Sequence, residues 1–180
     1  MKKIFSPLFS ENKKTAGYTL LETVVYVGIL SVLLLAIFTL LFSITRAFAE
    51  SRVYNQVEIS ATTAMERMVR EIRTANSVDL GNSIFDDNSG QLQLNTTEED
   101  GTPKTVQFYH DSTNKTVNFV DNGADEGTLT GNDVNITKLL FRSWVTPKST
   151  LIKIEMTVQS KIKTTLNANY YDSVVLRGAY

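Results

Sequence analysis

The sequence predicts an α+β protein: one long N-terminal helix, apolar all round in its first half, packed through its second half on a C-terminal antiparallel β-sheet domain. Three observations predict it. Between Glu22 and Arg46 lie 23 residues without a formal charge. From Val53 to Ile72 apolar residues recur at spacings of three and four, the period of a helix with one buried face. Beyond Gly81, short segments alternate apolar and polar residues between turn formers, as half-buried strands do. A helix followed by a run of strands gives segregated α+β layers.

Residues 1–17 carry Lys2, Lys3, Lys13 and Lys14, with Pro7 and no sustained periodicity. They read as a leader and lie outside fold reasoning. From Thr19 the helical pattern runs to about Ala75, interrupted only by Gly28. At about 1.5 Å rise per residue its uncharged part can cross a hydrocarbon core of roughly 30 Å. The second part is amphipathic, with Val53, Val57, Ala61, Met65, Met68 and Ile72 on one face. Glu66 and Arg70 stand four apart with the acid first, a favourable helix pair. Arg67, Arg70 and Arg73 load the last turns, where the helix dipole favours cations. Asn76, Ser77 and Gly81 mark the stop.

The strands follow in order. Gln91–Leu94, Thr105–Phe108 and Thr116–Phe119 alternate, and the cluster 111–114 (Asp-Ser-Thr-Asn) predicts a hairpin between the last two. Ile136–Val145 places Leu139, Phe141 and Ser143 on one face and Leu140, Arg142 and Trp144 on the other, ending at Pro147. In Leu151–Val158, Ile152, Ile154, Met156 and Val158 point inward. A last strand spans roughly Thr164–Leu176, before Arg177 and Gly178. The acidic, glycine-rich stretch Asp121–Gly127 reads as a surface loop, and Trp144 as a buried tryptophan.

Composition narrows the function classes. The chain has 180 residues, no cysteine and a net charge of −1. That excludes a disulfide framework and a thiolate site, and gives no nucleic-acid surface. The part beyond the apolar run holds about 130 residues, enough for one domain with its own core. Four lysines precede the run, whereas Arg46 and Arg52 after it are partly offset by Glu50, so the N-terminus is expected in the cytoplasm and the domain on the far side.

Catalysis is not expected. His110 is the single histidine and sits at the end of a hairpin strand, where a structural hydrogen bond is the default. No phosphate cradle or nucleophile motif occurs. Asp121, Asn122, Asp125 and Glu126 offer hard oxygen ligands, as do Asp86, Asp87 and Asn88. Calcium takes such ligands, but neither stretch has EF-hand spacing, so Asp121, Asp125 and Glu126 are weak metal candidates and solvated turns the default. Asn95, Asn114 and Asn135 fit the N-glycosylation pattern at near-chance frequency and carry no assigned role.

One feature does not suit a plain anchor. Glu22 lies inside the apolar block, where a charge near mid-membrane costs about 2.5 kcal/mol or more. It stands five residues after Gly17 within Lys13-Lys14-Thr15-Ala16-Gly17-Tyr18-Thr19-Leu20-Leu21-Glu22. This segment resembles the processing site of type IV prepilins and pseudopilins, with Tyr18 in place of the usual Phe as its one departure.

The resemblance implies cleavage between Gly17 and Tyr18 by a prepilin peptidase, N-methylation at Tyr18, and an assembly role for Glu22, which pairs with the amino terminus of an adjacent subunit. It implies a leader over 1–17, a transmembrane and assembly helix over 18–48, and an exported pilin-like domain over 49–180. The expected function is a minor pilin or pseudopilin, a structural subunit of a type IV pilus or of a secretion or competence pseudopilus. Its β-rich size, its ending, and Ser31 and Thr39 where many major pilins place proline or glycine resemble the J- and W-type minor subunits. Expected partners are the peptidase, other pilin subunits and the membrane, with no cofactor. The alternative is an exported ligand-binding or adhesive domain on an uncleaved single-pass anchor.

Overall fold

The computed structural model describes residues 17–98, 100–146 and 149–176. Lys2, Lys3, Lys13, Lys14, Pro147, Arg177 and Gly178 lie outside them. The chain divides into two compact units, 1–47 and 48–180.

Helix α1 spans Leu20–Thr74, 55 residues. In the first unit every side chain from Thr23 to Thr45 is exposed, as expected of a segment lacking polar residues to set one face apart. Two of its hydroxyls bond back to the helix: Ser31 Oγ donates to the Val27 carbonyl at 2.7 Å and Thr39 Oγ1 to that of Ala36 at 2.8 Å. Such back-bonding lets a hydroxyl sit in apolar surroundings without an outside partner.

The second unit is α+β. Val57, Ala61, Ala64, Met65, Met68 and Ile72 are the buried residues of α1, and they pack on two antiparallel sheets. Val53, at the start of the expected stripe, is half-buried, and Ala64 joins it. The ion pair along this helix is Arg67–Glu71 at 2.9 Å, whereas Glu66 and Arg70 are both exposed. Arg67 also lies over the Phe119 ring, 4.8 Å from its centroid, which ties its guanidinium to this side of the helix.

The first sheet runs in order through β1 (Ser77–Val78), β2 (Gln91–Thr97), β3 (Pro103–Asp111), β4 (Thr116–Asp121) and β5 (Ala124–Thr128). The expected strands are present and longer than their alternating cores. Leu92, Phe108 and Phe119 form one cross-strand row, with the two phenyl rings 5.4 Å apart. The 111–114 turn closes β3 onto β4: Asp111 Oδ1 accepts the amides of Thr113 at 2.8 Å and Asn114 at 3.1 Å.

The second sheet contains β6 (Val134–Val145), β7 (Thr150–Ser160) and β8 (Asn167–Val175). Ile152, Ile154, Met156 and Val158 are buried as predicted. Two sheets therefore replace the single sheet expected. Segment 86–90 bridges them along β6: Asp86 N–H donates to the Phe141 carbonyl at 3.0 Å and Gly90 N–H to that of Leu139 at 2.8 Å, while Leu139 N–H donates to Asn88 at 2.9 Å. Gly90 is required by this close approach, because a Cβ there would stand 2.7 Å from the Leu139 carbonyl oxygen.

Two further expectations are corrected. Asp121–Gly127 is a hairpin, with Asp121 paired to Ala124. Asn122 and Gly123 turn it with φ of 48° and 82°, the left-handed pair a type I′ turn needs. Trp144 is 48% exposed. It sits near the end of β6 opposite Leu151, on the face turned away from the core.

Candidate functional site at the start of the helix

Gly17, Tyr18 and Thr19 precede α1 as non-helical backbone. Among the described residues a Cβ built at Gly17 would meet nothing within 4 Å, so their packing does not require glycine there. Thr19 caps the helix. Its Oγ1 accepts from the Glu22 amide at 3.3 Å, satisfying one of the orphan donors of the first turn. Thr19 and Glu22 have the spacing of a capping box, a signal present in the sequence. A carboxylate in the first turn also suits the positive end of the helix dipole.

Glu22 is half-buried, the exception among exposed residues from Gly17 to Arg52. Its Oε1 accepts from the Tyr26 hydroxyl at 3.0 Å. Tyr26, one turn on, meets Tyr18 edge to face, with ring centroids 6.1 Å apart and planes at 81°. The carboxylate thus has a neutral donor in its own chain. A hydrogen bond to a charged group is worth about 1.5–3 kcal/mol, comparable to the cost of the charge near mid-membrane. Tyr18, Glu22 and Tyr26 thereby form one cluster.

The other candidate residues do not converge. The Asp121 carboxylate lies 2.6 Å from Lys104 Nζ, and Asp125 Oδ1 accepts the Gly127 amide at 2.9 Å. Glu126 is exposed on β5. Asp87 Oδ1 accepts the Ser89 amide at 2.7 Å, and Asp86 stands 3.7 Å from Arg142 Nε. Among the described residues no three acidic or histidine groups gather as metal ligands would. His110 Nε2 lies 3.0 Å from the Ile136 carbonyl oxygen, and its own amide donates to Gly90 at 3.1 Å. It joins the two sheets.

A polar cluster that periodicity did not reveal sits on the outward face of the second sheet. The Glu155 side chain is 10% exposed and lies 2.9 Å from Lys153 Nζ, 3.0 Å from Lys138 Nζ and 3.4 Å from Arg142 Nε. Hydrogen bonds from Lys153 and Lys138 hold its pKa down at about 2. A bulge between Ile136 and Lys138 brings Lys138 onto this face, since one extra residue reverses the alternation.

Fold and site together define an α+β protein whose N-terminal helix is long and apolar enough to cross a membrane and carries a carboxylate in its first turn. Compared with protein-family models, curated proteins and solved structures, the chain matches none.

Proposed function

We propose that the protein is a minor pilin or pseudopilin, with a pilin-like fold, cut between Gly17 and Tyr18 by a prepilin peptidase and assembled into a filament through its N-terminal helix. The observation that carries this reading is the spacing of Gly17, Tyr18 and Glu22 ahead of the uncharged run. Before cleavage the apolar helix holds the chain in the cytoplasmic membrane, with its N-terminus in the cytoplasm and its domain exported. Cleavage frees an α-amino group at Tyr18, and Glu22 pairs with that group on an adjacent subunit as lipid is excluded. In low dielectric such a pair attracts strongly, whereas either charge alone is costly. The Tyr26 hydroxyl supports the same reading, because it offers Glu22 a donor while the subunit waits in lipid.

The test is the mass of the mature chain after co-expression with a prepilin peptidase. The expected product begins at Tyr18 with a methylated amine. A product that retains Met1, or one that begins beyond Thr45, overturns the reading. The rival reading, an exported binding or adhesive domain on an uncut anchor, is favoured by one observation: Trp144 and Tyr171 stand exposed on the outward face of the second sheet.

A further inference from the structure

The turn that joins β7 to β8 is closed from within by Ser160, which is 1% exposed. Its Oγ accepts the amides of Ile162 and Lys163, each at 3.2 Å. The Leu166 amide donates to the Lys163 carbonyl at 2.8 Å, and the Ser160 amide to that of Leu166 at 3.1 Å. With the backbone held in this way, Lys161 and Ile162 stay outward at the tip, and Ile162 is 67% exposed. One exposed isoleucine is ordinary on a protein surface. Its place in the chain is what gives this one a meaning.

Lys163 ties the turn to α1. Its Nζ lies 2.9 Å from Glu50 Oε1, well before Val57, where the buried stripe of the helix begins. Glu50 follows Arg46, which ends the uncharged run, by four residues. Four residues span about 6 Å as helix and at most about 14 Å fully extended. The interfacial layer outside the hydrocarbon core of a bilayer is about 5–8 Å deep on each side. With the run across a membrane, covalent reach alone keeps Glu50 at or near the headgroups, and Lys163 keeps the turn with it.

The charges there complement an anionic surface. Lys161, Lys163, Arg46 and Arg52 stand against Glu50 and Asp133; the Asp133 carbonyl accepts the Lys161 amide at 3.0 Å. Glu50 engages Lys163, whereas the Lys161 side chain extends into solvent. An aliphatic side chain between two lysines suits a bilayer interface, where the apolar body enters and the ammonium groups remain with the phosphates.

We propose that this turn is a second membrane contact, in which Ile162 enters the boundary between headgroups and acyl chains and Lys161 pairs with the phosphate of an anionic phospholipid. Docking would hold the domain down on the bilayer that the helix crosses. The inference rests on the membrane anchor of the proposed function and not on cleavage after Gly17.

The chain has no cysteine, so single labelled cysteines can report depth in the full chain reconstituted in vesicles of phosphatidylglycerol and phospholipids brominated high on the acyl chain. Thr164→Cys, labelled with a fluorophore, reads the turn and leaves Lys161, Ile162 and Lys163 in place. Val32→Cys reads the anchor. Glu98→Cys, which lines the same cleft as Thr74 at the end of α1, reads the background. Expected are quenching at 32 and quenching at 164 above the level at 98. Ile162→Asp should bring 164 down to the level at 98. Lys161→Ala should lower the ratio of docked to undocked turn about fivefold, as should phosphatidylcholine in place of phosphatidylglycerol, at about 1 kcal/mol for each charge near the surface. Quenching at 32 with none at 164 above background overturns this contact and leaves the anchor standing, whereas no quenching at 32 overturns both. Quenching at 164 that survives Ile162→Asp or Lys161→Ala unchanged also overturns it, because proximity alone would then account for the signal.

Discussion

The Tyr26 hydroxyl donates to Glu22 Oε1 at 3.0 Å, one helical turn along α1. A carboxylate in the apolar helix thus has a partner from its own chain. Glu22→Ala is expected to leave cleavage and membrane insertion intact and to lower co-purification with partner subunits from detergent. Tyr26→Phe, which keeps the ring and removes the donor, should fall between wild type and Glu22→Ala. Equal recovery of all three would take Glu22 out of assembly.

The stripe under the sheets offers a second measurement. Met68 is fully buried, and Met68→Asp places an unpaired charge among apolar side chains. That should cost several kcal/mol, about 3 or more. Circular dichroism melts of residues 52–180 would read it as a large fall in Tm, and an unchanged Tm would place this face in solvent.

Glu155 gives a pH signature. Its carboxyl pKa is lowered from 4.5 to about 2 by the Lys153 and Lys138 hydrogen bonds. A depressed pKa adds stability that is present above the unfolded value and is lost as pH falls through the folded one. The wild-type domain should therefore weaken between pH 4.5 and about 2, and Glu155→Gln should show a flatter profile across that window. At neutral pH the same variant should cost about 1–3 kcal/mol by leaving three cations around a neutral amide. Denaturant unfolding at several pH values checks both.

Gly90→Ala tests the seam between the sheets. The added methyl would stand 2.7 Å from the Leu139 carbonyl oxygen and 3.0 Å from Phe141 Cδ2, and backbone cannot yield as a flexible side chain can. The expected loss is about 1–3 kcal/mol, with faster exchange of the Gly90 and Leu139 amides. Wild-type stability in this variant would show that segment 86–90 is not held tightly against β6.

Part of the candidate site was legible in the chain: the residues by themselves show the odd carboxylate Glu22 in an apolar block, and Gly17 and Tyr18 enter through the resemblance to a prepilin processing site. The capping pair Thr19–Glu22 was legible too, and so was the Asn122-Gly123 turn that makes 121–127 a hairpin. Both are short-range signals masked by stronger neighbours, the odd charge in one case and the acidic run in the other. The Tyr26 contact was harder to foresee, since it depends on a side-chain rotamer that one-turn spacing permits without dictating.

Although the short edge strands β1 and β5 escaped it, the sequence by itself determined the long helix, its buried face and the longer strands. Those follow from periodicity, a local property of consecutive residues. Only the tertiary structure decided that the strands divide into two sheets, that His110 and segment 86–90 join them, and that Trp144 faces outward. It also gathered Lys138, Arg142 and Lys153 around Glu155 and, among the described residues, placed β8 at the edge of its sheet. These are choices among strand partners far apart in the chain. Alternation is nearly the same whichever strand lies alongside, and a single bulged residue between Ile136 and Lys138 reassigns the face of the residues around it.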